Sequence, residues 1–393
     1  MQAGQRVGVL CSGRARQARL GSAGVAVESR VDHVGSLLRP RALLDARAQR
    51  DAGEIGADDF KRIEDDAVRR VVGLQEECGC VVVTDGELRR DSFQSEITAA
   101  CEGFENVTLD AWLWGDWHSD SVGDRSTERP PGLAVVERLR KRRNLAAEEF
   151  TFLRSITGRV VKVTLPSPSL LGNLWDPERS RAAYPTLDDF VADVTSIFVD
   201  EVRELQRLGC TYVQLDAPHY PLLVDPVWQA FYESRGWSLQ EWLARGIEFD
   251  NAVIDAAPAV TFGFHLCRGN QGSRWLVSGS YEPIARPIFQ GVRAHRLLLE
   301  YDDERSGGFE PLEHVRDDQI VVLGLVTTKT PRVETVDWLS QRIREAARIL
   351  PLERLALGTQ CGFSTSIVGN AITEHDERRK LATIAETAAR VWG

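Results

Sequence analysis

Long apolar runs are missing from this 393-residue sequence, and none reaches the roughly 18 residues that a membrane-spanning helix needs. Basic residues are in deficit as well, with 48 lysines and arginines against 58 aspartates and glutamates and a formal net charge of -10. Because nucleic acids and membrane surfaces are anionic, this balance disfavours both as partners. No secretory signal is evident, and the seven cysteines are an odd number. We therefore expect reduced thiols in a cytoplasmic protein.

The sequence does contain enough apolar material for a large core. Hydrophobic residues make up 43% of it, which excludes a disordered chain, a small disulfide scaffold and a collagen-like repeat. Residues 1–30 differ from the rest, because they are rich in arginine and hold Glu28 as their only acid. This composition is compatible with an organelle transit peptide, but we expect a disordered extension and place the folded domain at residues 31–393.

Strand-like and helix-like segments alternate after residue 30. Eight short β-rich runs occupy residues 31–35, 80–85, 159–165, 211–216, 259–265, 296–300, 320–325 and 355–357. Amphipathic periodicity predicts helices around residues 60–74, 190–208 and 377–392, and more weakly over 221–242 and 336–349. Eight alternating units predict an α/β fold, a single (β/α)8 TIM barrel with parallel strands.

The longest connection, residues 88–157, is predicted as an insertion between the second and third strands. Its aromatic residues and chain breaker are Phe104, Trp112, Trp114, Trp117 and Pro130-Pro131-Gly132. A connection this long and aromatic is often a lid or a substrate wall. Packing against a helix or a partner subunit explains it equally well, and the sequence leaves both open.

Polar residues gather where the predicted strands end, and this end is the working face of a parallel barrel. The sharpest pattern is His265-Leu-Cys267, because residues i and i+2 of a strand point to the same side. An imidazole beside a soft thiolate suits Zn²⁺, and Cys361 and Glu300, at two other strand ends, can complete four ligands. The alternative is that His265 and Cys267 merely close a strand as buried residues, and their spacing alone does not decide.

A larger set of strand-end segments occurs in a fixed order. The segments are His33-Val-Gly-Ser36, Thr84-Asp85-Gly86-Glu87, Gln214-Leu-Asp216, His265-Leu-Cys267, Glu300 and Gln360-Cys361-Gly362. Together they resemble the catalytic barrel of cobalamin-independent methionine synthase, over about residues 31–393.

The resemblance implies a site as well as a fold. Zinc would be bound by His265, Cys267, Glu300 and Cys361, and the amino-acid end of homocysteine by Ser36, Glu87 and Asp216. Carboxylates can accept hydrogen bonds from an ammonium group, and a hydroxyl can donate to a carboxylate. Zinc would lower the pKa of the substrate thiol, so that its sulfur can attack an alkyl carbon at neutral pH.

Three departures from the family pattern concern the alkyl donor. The family's full-length enzymes carry two barrels, whereas this chain has room for one, which weakens the case for a folate with a long tail. Lys329 stands where the family has a histidine that protonates the departing amine, so we predict Lys329 as the catalytic acid. Ala217 replaces a second carboxylate expected next to Asp216.

These features predict a zinc-dependent thiol alkyltransferase, most simply one that methylates homocysteine with a small alkyl donor. Three alternatives stay open. One is an enzyme resembling epoxyalkane:coenzyme M transferase, which keeps the zinc chemistry and changes the thiol and the electrophile. Another is a metal-free lyase resembling uroporphyrinogen decarboxylase, with Arg89, Arg90, Arg268 and Lys329 as the basic residues for substrate carboxylates. The last is a non-enzymatic binding protein, which the complete ligand set disfavours.

Overall fold

The computed structural model describes residues 28–105, 114–129 and 133–393. In chain order, the strands within these residues are β1 (Val82–Val83), β2 (Cys101–Phe104), β3 (Gly115–Trp117), β4 (Arg125–Thr127), β5 (Val135–Lys141), β6 (Val160–Pro166), β7 (Tyr212–Asp216), β8 (Thr261–Leu266), β9 (Arg296–Glu300), β10 (Ile320–Val326) and β11 (Leu355–Thr359). The helices are α1 (Arg41–Asp51), α2 (Ala57–Glu77), α3 (Ser95–Ala100), α4 (Ala147–Ile156), α5 (Leu187–Arg207), α6 (His219–Leu222), α7 (Pro226–Glu233), α8 (Leu239–Asp255), α9 (Glu282–Gly291), α10 (Val336–Ala346) and α11 (Glu374–Trp392). None of these described helices combines the length and apolarity required to cross a bilayer.

A curled parallel sheet forms the centre of the fold. Its seven strands lie in the order β1-β6-β7-β8-β9-β10-β11, and every neighbouring pair is parallel. Seven of the eight predicted β-rich runs therefore contain strands of this sheet. The first run contributes an isolated parallel bridge from Val31 to Leu357 of β11, and the amide of Leu37 donates to the carbonyl of Gly86 beyond β1. The closed eight-stranded barrel stays a prediction.

Helices cover the sheet because their apolar faces match its buried strands. Helix α5 begins with a capping box in which Thr186 and Asp189 satisfy each other's backbone amides. Its residues Phe190, Val194 and Phe198 are fully buried, as the predicted periodicity requires. The strands are equally buried, polar residues included, with all seven residues of β6 and all six of β8 in the interior.

The weakly predicted helix over residues 221–242 is wrong as a single element. Helices α6 and α7 and the beginning of α8 occupy it instead. Asp225 starts α7 by accepting a hydrogen bond from the amide of Val227 at 2.8 Å, with Pro226 in the first turn. Ser238 and Glu241 start α8 with a capping box. These capping residues override the weak periodicity.

The segment between β1 and β6 holds two small antiparallel pairs, β2 with β5 and β3 with β4. The β3–β4 hairpin lies against the loop after β8, since the backbones of His118 and Trp275 exchange hydrogen bonds of 2.8 and 2.9 Å. Trp112 and the Pro130-Pro131-Gly132 break lie outside the described residues. The hairpin contact brings the aromatic segment to the face where the β8 loop emerges.

Most of the predicted N-terminal extension, residues 1–27, lies outside the described residues. Residues 28–30 are described, and two of them contact the sheet. The carbonyl of Ser29 accepts a hydrogen bond from the Arg296 guanidinium at 2.9 Å, and the carbonyl of Arg30 accepts from the amide of Leu357 at 2.9 Å.

Candidate metal centre and substrate cleft

A cleft opens at the carboxyl ends of the parallel strands. The predicted site residues that line it are Ser36, Glu87, Asp216, His265, Cys267 and Cys361. They come from distant parts of the sequence, and the common polarity of parallel strands brings them to one face. Glu300 and Lys329 are buried beside the cleft.

Three of the four predicted metal ligands converge. The ligand atoms of His265, Cys267 and Cys361 all lie within 4.8 Å of one another, and all three residues are buried. His265 Nδ1 lies 3.3 Å from the carbonyl oxygen of Leu298 on β9, and this contact orients the ring. His265 Nε2 is buried and has no hydrogen-bond partner. A buried nitrogen without a partner is costly unless something occupies the position it faces.

The two cysteines differ in acidity. The hydrogen bond from Cys361 lowers the pKa of Cys267 to about 5, with His265 contributing further, although burial opposes the change. The same bond, together with burial, raises the pKa of Cys361 well above its ordinary value. The lowered pKa favours the thiolate form of Cys267, and the raised pKa favours the thiol form of Cys361. Two sulfurs and an imidazole nitrogen are a soft donor set that fits Zn²⁺, which would release the remaining proton.

Glu300, the fourth predicted ligand, lies at the end of β9 and outside the close group. Its Oε2 accepts a hydrogen bond from the Arg268 amide at 2.7 Å, and its Oε1 accepts from the Arg305 guanidinium at 2.7 Å. Burial opposes ionisation, but Lys329, Arg305 and Arg268 hold the pKa of Glu300 at about 2. The carboxylate is therefore ionised, and two of its roughly four acceptor positions are taken.

Lys329, the predicted acid, belongs to the same charged group. Its ammonium donates to Asp302 Oδ2 at 2.8 Å and lies 3.7 Å from Glu300 Oε1. It is buried beneath the cleft surface and is not among the residues that line it. The structure thus brings Lys329 to Glu300, and its part in proton transfer stays a prediction.

Glu87 stands on a backbone that few residues adopt. Its φ is 57° and that of Gly86 is 70°, so the chain turns sharply after β1 and aims the carboxylate at the cleft. Glu87 Oε1 accepts a hydrogen bond from the Thr164 hydroxyl at 2.7 Å, and Oε2 is buried without a partner. One oxygen is fixed, and the other is available to a donor in the cleft.

Asp216 and Ser36 complete the polar part of the cleft. Asp216 Oδ1 accepts a hydrogen bond from Gln214 at 2.8 Å. Burial raises the pKa of Asp216 to about 7, His265 opposes this, and Glu87 adds to it. Ser36 lies so close to Gly362 that a Cβ at that glycine would come within 1.8 Å of the serine hydroxyl.

An aromatic wall, defined here as Trp114, Trp117, Trp228 and Tyr232, lines another part of the cleft. The rings of Trp114 and Trp228 have centroids 4.6 Å apart. Trp114 and Trp117 come from the predicted insertion, whereas Trp228 and Tyr232 come from α7, which lies within the weakly predicted helix over residues 221–242 but was not predicted to reach the cleft. The weak periodicity did not show which residues of this region face the cleft, because the start of α7 depends on the capping residue Asp225.

The basic residues suggested for a decarboxylase-like site are engaged elsewhere. Arg89 pairs with Glu64 and Asp65, and Arg90 pairs with Glu149. Arg268 donates to backbone carbonyls, including that of Glu300. Among the described residues that line the cleft there is no lysine or arginine.

The other described cysteines do not line the cleft. Cys78, Cys80, Cys101 and Cys210 are buried free thiols, and Cys11 lies outside the described residues.

Comparison with known proteins agrees with this geometry. Residues 31–383 match the model of the cobalamin-independent synthase catalytic domain. The Bacillus subtilis protein YxjG, which is uncharacterized, is 35% identical over 379 residues, covering 92% of this chain and 94% of that protein. Methionine synthase of Pyrococcus abyssi is 26% identical over 338 residues, covering 84% of this chain and 85% of that protein. The chain therefore belongs to the cobalamin-independent methionine synthase family, and it is a methyltransferase of that kind.

A solved structure extends the match to three dimensions. A Listeria monocytogenes protein assigned as a vitamin-B12-independent methionine synthase superimposes with a TM-score of 0.70 at 27% sequence identity. The match covers 93% of this chain and 98% of that one. The curled parallel sheet is thus shared with the family.

Proposed function

We propose that residues 31–393 form a zinc-dependent thiol alkyltransferase whose reaction is methyl transfer to homocysteine. The observation that carries the proposal is the convergence of the His265 imidazole with the sulfurs of Cys267 and Cys361 on the cleft. Together they supply a buried nitrogen without a partner, a thiolate and an acidifiable thiol.

Four residues of this chain would hold the metal: His265, Cys267, Cys361 and Glu300. When bound, zinc would lower the pKa of a substrate thiol and hold its sulfur as a nucleophile. Arg305 and Lys329 flank Glu300 and would offset part of the negative charge that two cysteine thiolates, a carboxylate and a substrate thiolate bring together.

Glu87 and Asp216 would bind the substrate's ammonium group. Each carboxylate has one oxygen fixed by a protein donor, Thr164 for Glu87 and Gln214 for Asp216, which leaves the second oxygen for the substrate. The Ser36 hydroxyl would donate to the substrate carboxylate. In this pose the thiol of homocysteine extends from the two acids toward His265, Cys267 and Cys361.

The aromatic wall favours a compact donor. A long polyglutamate tail carries several carboxylates, and the described lining of the cleft offers no lysine or arginine to bind them. In the reaction the new S–C bond forms as the bond between the methyl carbon and the donor breaks, and the leaving group retains that electron pair. Where the leaving group is an amine it needs a proton, which Lys329 would supply by parting from Asp302.

A thiol-by-donor screen on the purified, zinc-analysed protein tests the proposal. Methyl transfer to homocysteine would be measured from monoglutamate folate, triglutamate folate and methylcobalamin, with an epoxide–thiol assay alongside. We expect homocysteine methylation that does not depend on the triglutamate tail. Turnover confined to triglutamate folate would refute the donor assignment, and alkylation of other thiols alone would refute the homocysteine assignment.

A further inference from the structure

A buried lysine lies directly below the proposed substrate site. Lys162, in the middle of β6, is fully buried, and its ammonium has three hydrogen-bond acceptors. They are Asp32 Oδ1 at 2.7 Å, Gln214 Oε1 at 2.8 Å and the carbonyl of His33. An ammonium has three donors and no acceptor, so every proton of this group is used.

This arrangement determines how the amide of Gln214 is oriented. Its Oε1 must face Lys162, because turning the amide around would put N–H groups against an ammonium. Its Nε2 then donates to the carbonyl of Val34 at 2.7 Å and to Asp216 Oδ1 at 2.8 Å. Only this orientation of the Gln214 amide allows all three hydrogen bonds, to Lys162, Val34 and Asp216.

The lysine itself is anchored by neighbouring strands. Asp32, which accepts from Lys162 through Oδ1, accepts from the Tyr212 hydroxyl through Oδ2 at 2.6 Å. Arg296 on β9 lies 3.2 Å from the same Oδ2. The charges are therefore paired and fixed to β6, β7 and β9, which a buried cation requires if it is not to destabilise the fold.

We propose that Gln214, oriented by Lys162, is a positioning residue that presents Asp216 Oδ2 to the substrate's ammonium group and makes the enzyme select α-amino thiols. Among the described residues, the hydrogen bonds of the Asp216 carboxylate involve Oδ1 alone, and Asp216 lines the cleft. Because the bond from Gln214 holds Oδ1 in place, the orientation of the carboxylate is set and so is the direction in which Oδ2 points. This inference rests on the proposed function, since it assumes that Asp216 binds the amine of homocysteine.

Two substitutions of Gln214 test it. Gln214→Met removes both donors at similar side-chain volume. Gln214→Glu keeps the shape and the bond to Lys162, but it replaces the donor facing Asp216 with an acceptor. The matched control is Gln319→Met, because Gln319 is also fully buried and donates to two carbonyls, of Val292 and Ala294, away from the cleft.

The measurement is a ratio of dissociation constants by calorimetry, for homocysteine and for its deamino analogue 4-mercaptobutanoate. We expect wild type and Gln319→Met to prefer homocysteine, and both Gln214 variants to lose about tenfold or more of that preference, as for a lost hydrogen bond to a charged group. Affinity for the deamino analogue should change little, which a general loss of structure would not produce.

The outcomes separate the two claims. If Asp216→Asn abolishes the preference and the Gln214 variants retain it, the positioning role is wrong and the proposed function stands. If wild type itself shows no preference, the amine assignment in the proposed function is wrong, and the inference falls with it. Should Gln214→Met fail to fold, Gln214→Glu gives the same comparison.

Discussion

Replacing Gly362 with alanine tests the position of Ser36 with a single methyl group. Gly362 follows Cys361, and an added Cβ would lie 1.8 Å from Ser36 Oγ and 3.0 Å from Ser36 Cβ. Real Cβ atoms do not approach so closely, so the serine hydroxyl must rotate away. The substitution therefore removes the proposed donor to the substrate carboxylate while leaving the serine in the sequence.

The expected magnitude follows from one hydrogen bond. A hydrogen bond to a charged group contributes about 1.5–3 kcal/mol, which corresponds to a roughly 10- to 150-fold rise in Kd. Gly362→Ala should weaken homocysteine binding by that amount, measured by calorimetry. Zinc content would be measured in parallel, because Cys361 is the neighbouring residue.

Two comparisons make the result interpretable. Gly73→Ala, in α2, makes the same chemical change where nothing lies within 4 Å, and it should leave binding unchanged. In a Ser36→Ala background, Gly362→Ala should cost little more, because the group it displaces is already gone. Wild-type affinity in Gly362→Ala, or an additive loss in the double variant, would refute the placement of Ser36.

Three further predictions concern other parts of the chain. Burial raises the pKa of Glu377 to about 8, so its contribution to stability is present below about pH 4.5 and is lost as pH rises through 8. The free energy of unfolding of wild type should therefore fall relative to that of Glu377→Gln between about pH 5 and 8, by up to about 1.4 kcal/mol per pH unit, and parallel stability curves would contradict this. Lys329→Met should lower kcat about 100-fold or more with a folate donor but not with methylcobalamin, whose leaving group needs no proton, and equal losses would exclude an acid role. Trp114→Ala should raise the KM of the alkyl donor and leave the Kd of homocysteine unchanged; a change confined to homocysteine would place the aromatic wall on the thiol side.

Strand periodicity accounts for what the sequence predicted well. His265 and Cys267 share a side because alternate strand residues do, and Cys361 joins them because parallel strands end at one face. Local patterns of this kind survive folding, so the convergence of these three side chains could be predicted without a structure. The ordered set of strand-end segments also predicted the family, which the comparison with known proteins confirms.

Contacts between distant residues could not be predicted in the same way. The pairing of Glu300 with Arg305, and of Lys329 with Asp302, depends on loop conformations that no spacing encodes. The sequence does indicate that Lys162 needs a partner, because a lysine inside an apolar strand is a buried charge. It does not indicate which residue that partner is, since Asp32 is 130 residues away. The first predicted strand, residues 31–35, pairs with the sheet through a single bridge from Val31 to Leu357, which its sequence pattern did not predict.

Zinc content is the measurement that tests the central claim most directly. Wild type, Cys267→Ser, Cys361→Ser and the control Cys210→Ser would be purified identically and analysed for metal; Cys210 is a buried thiol whose hydrogen bond goes to the backbone of Tyr212, outside the cleft. We predict nearly one zinc per chain in wild type and Cys210→Ser, and loss of most of it in the other two. Full zinc retention in both Cys267→Ser and Cys361→Ser would contradict the metal centre and the thiol chemistry built on it.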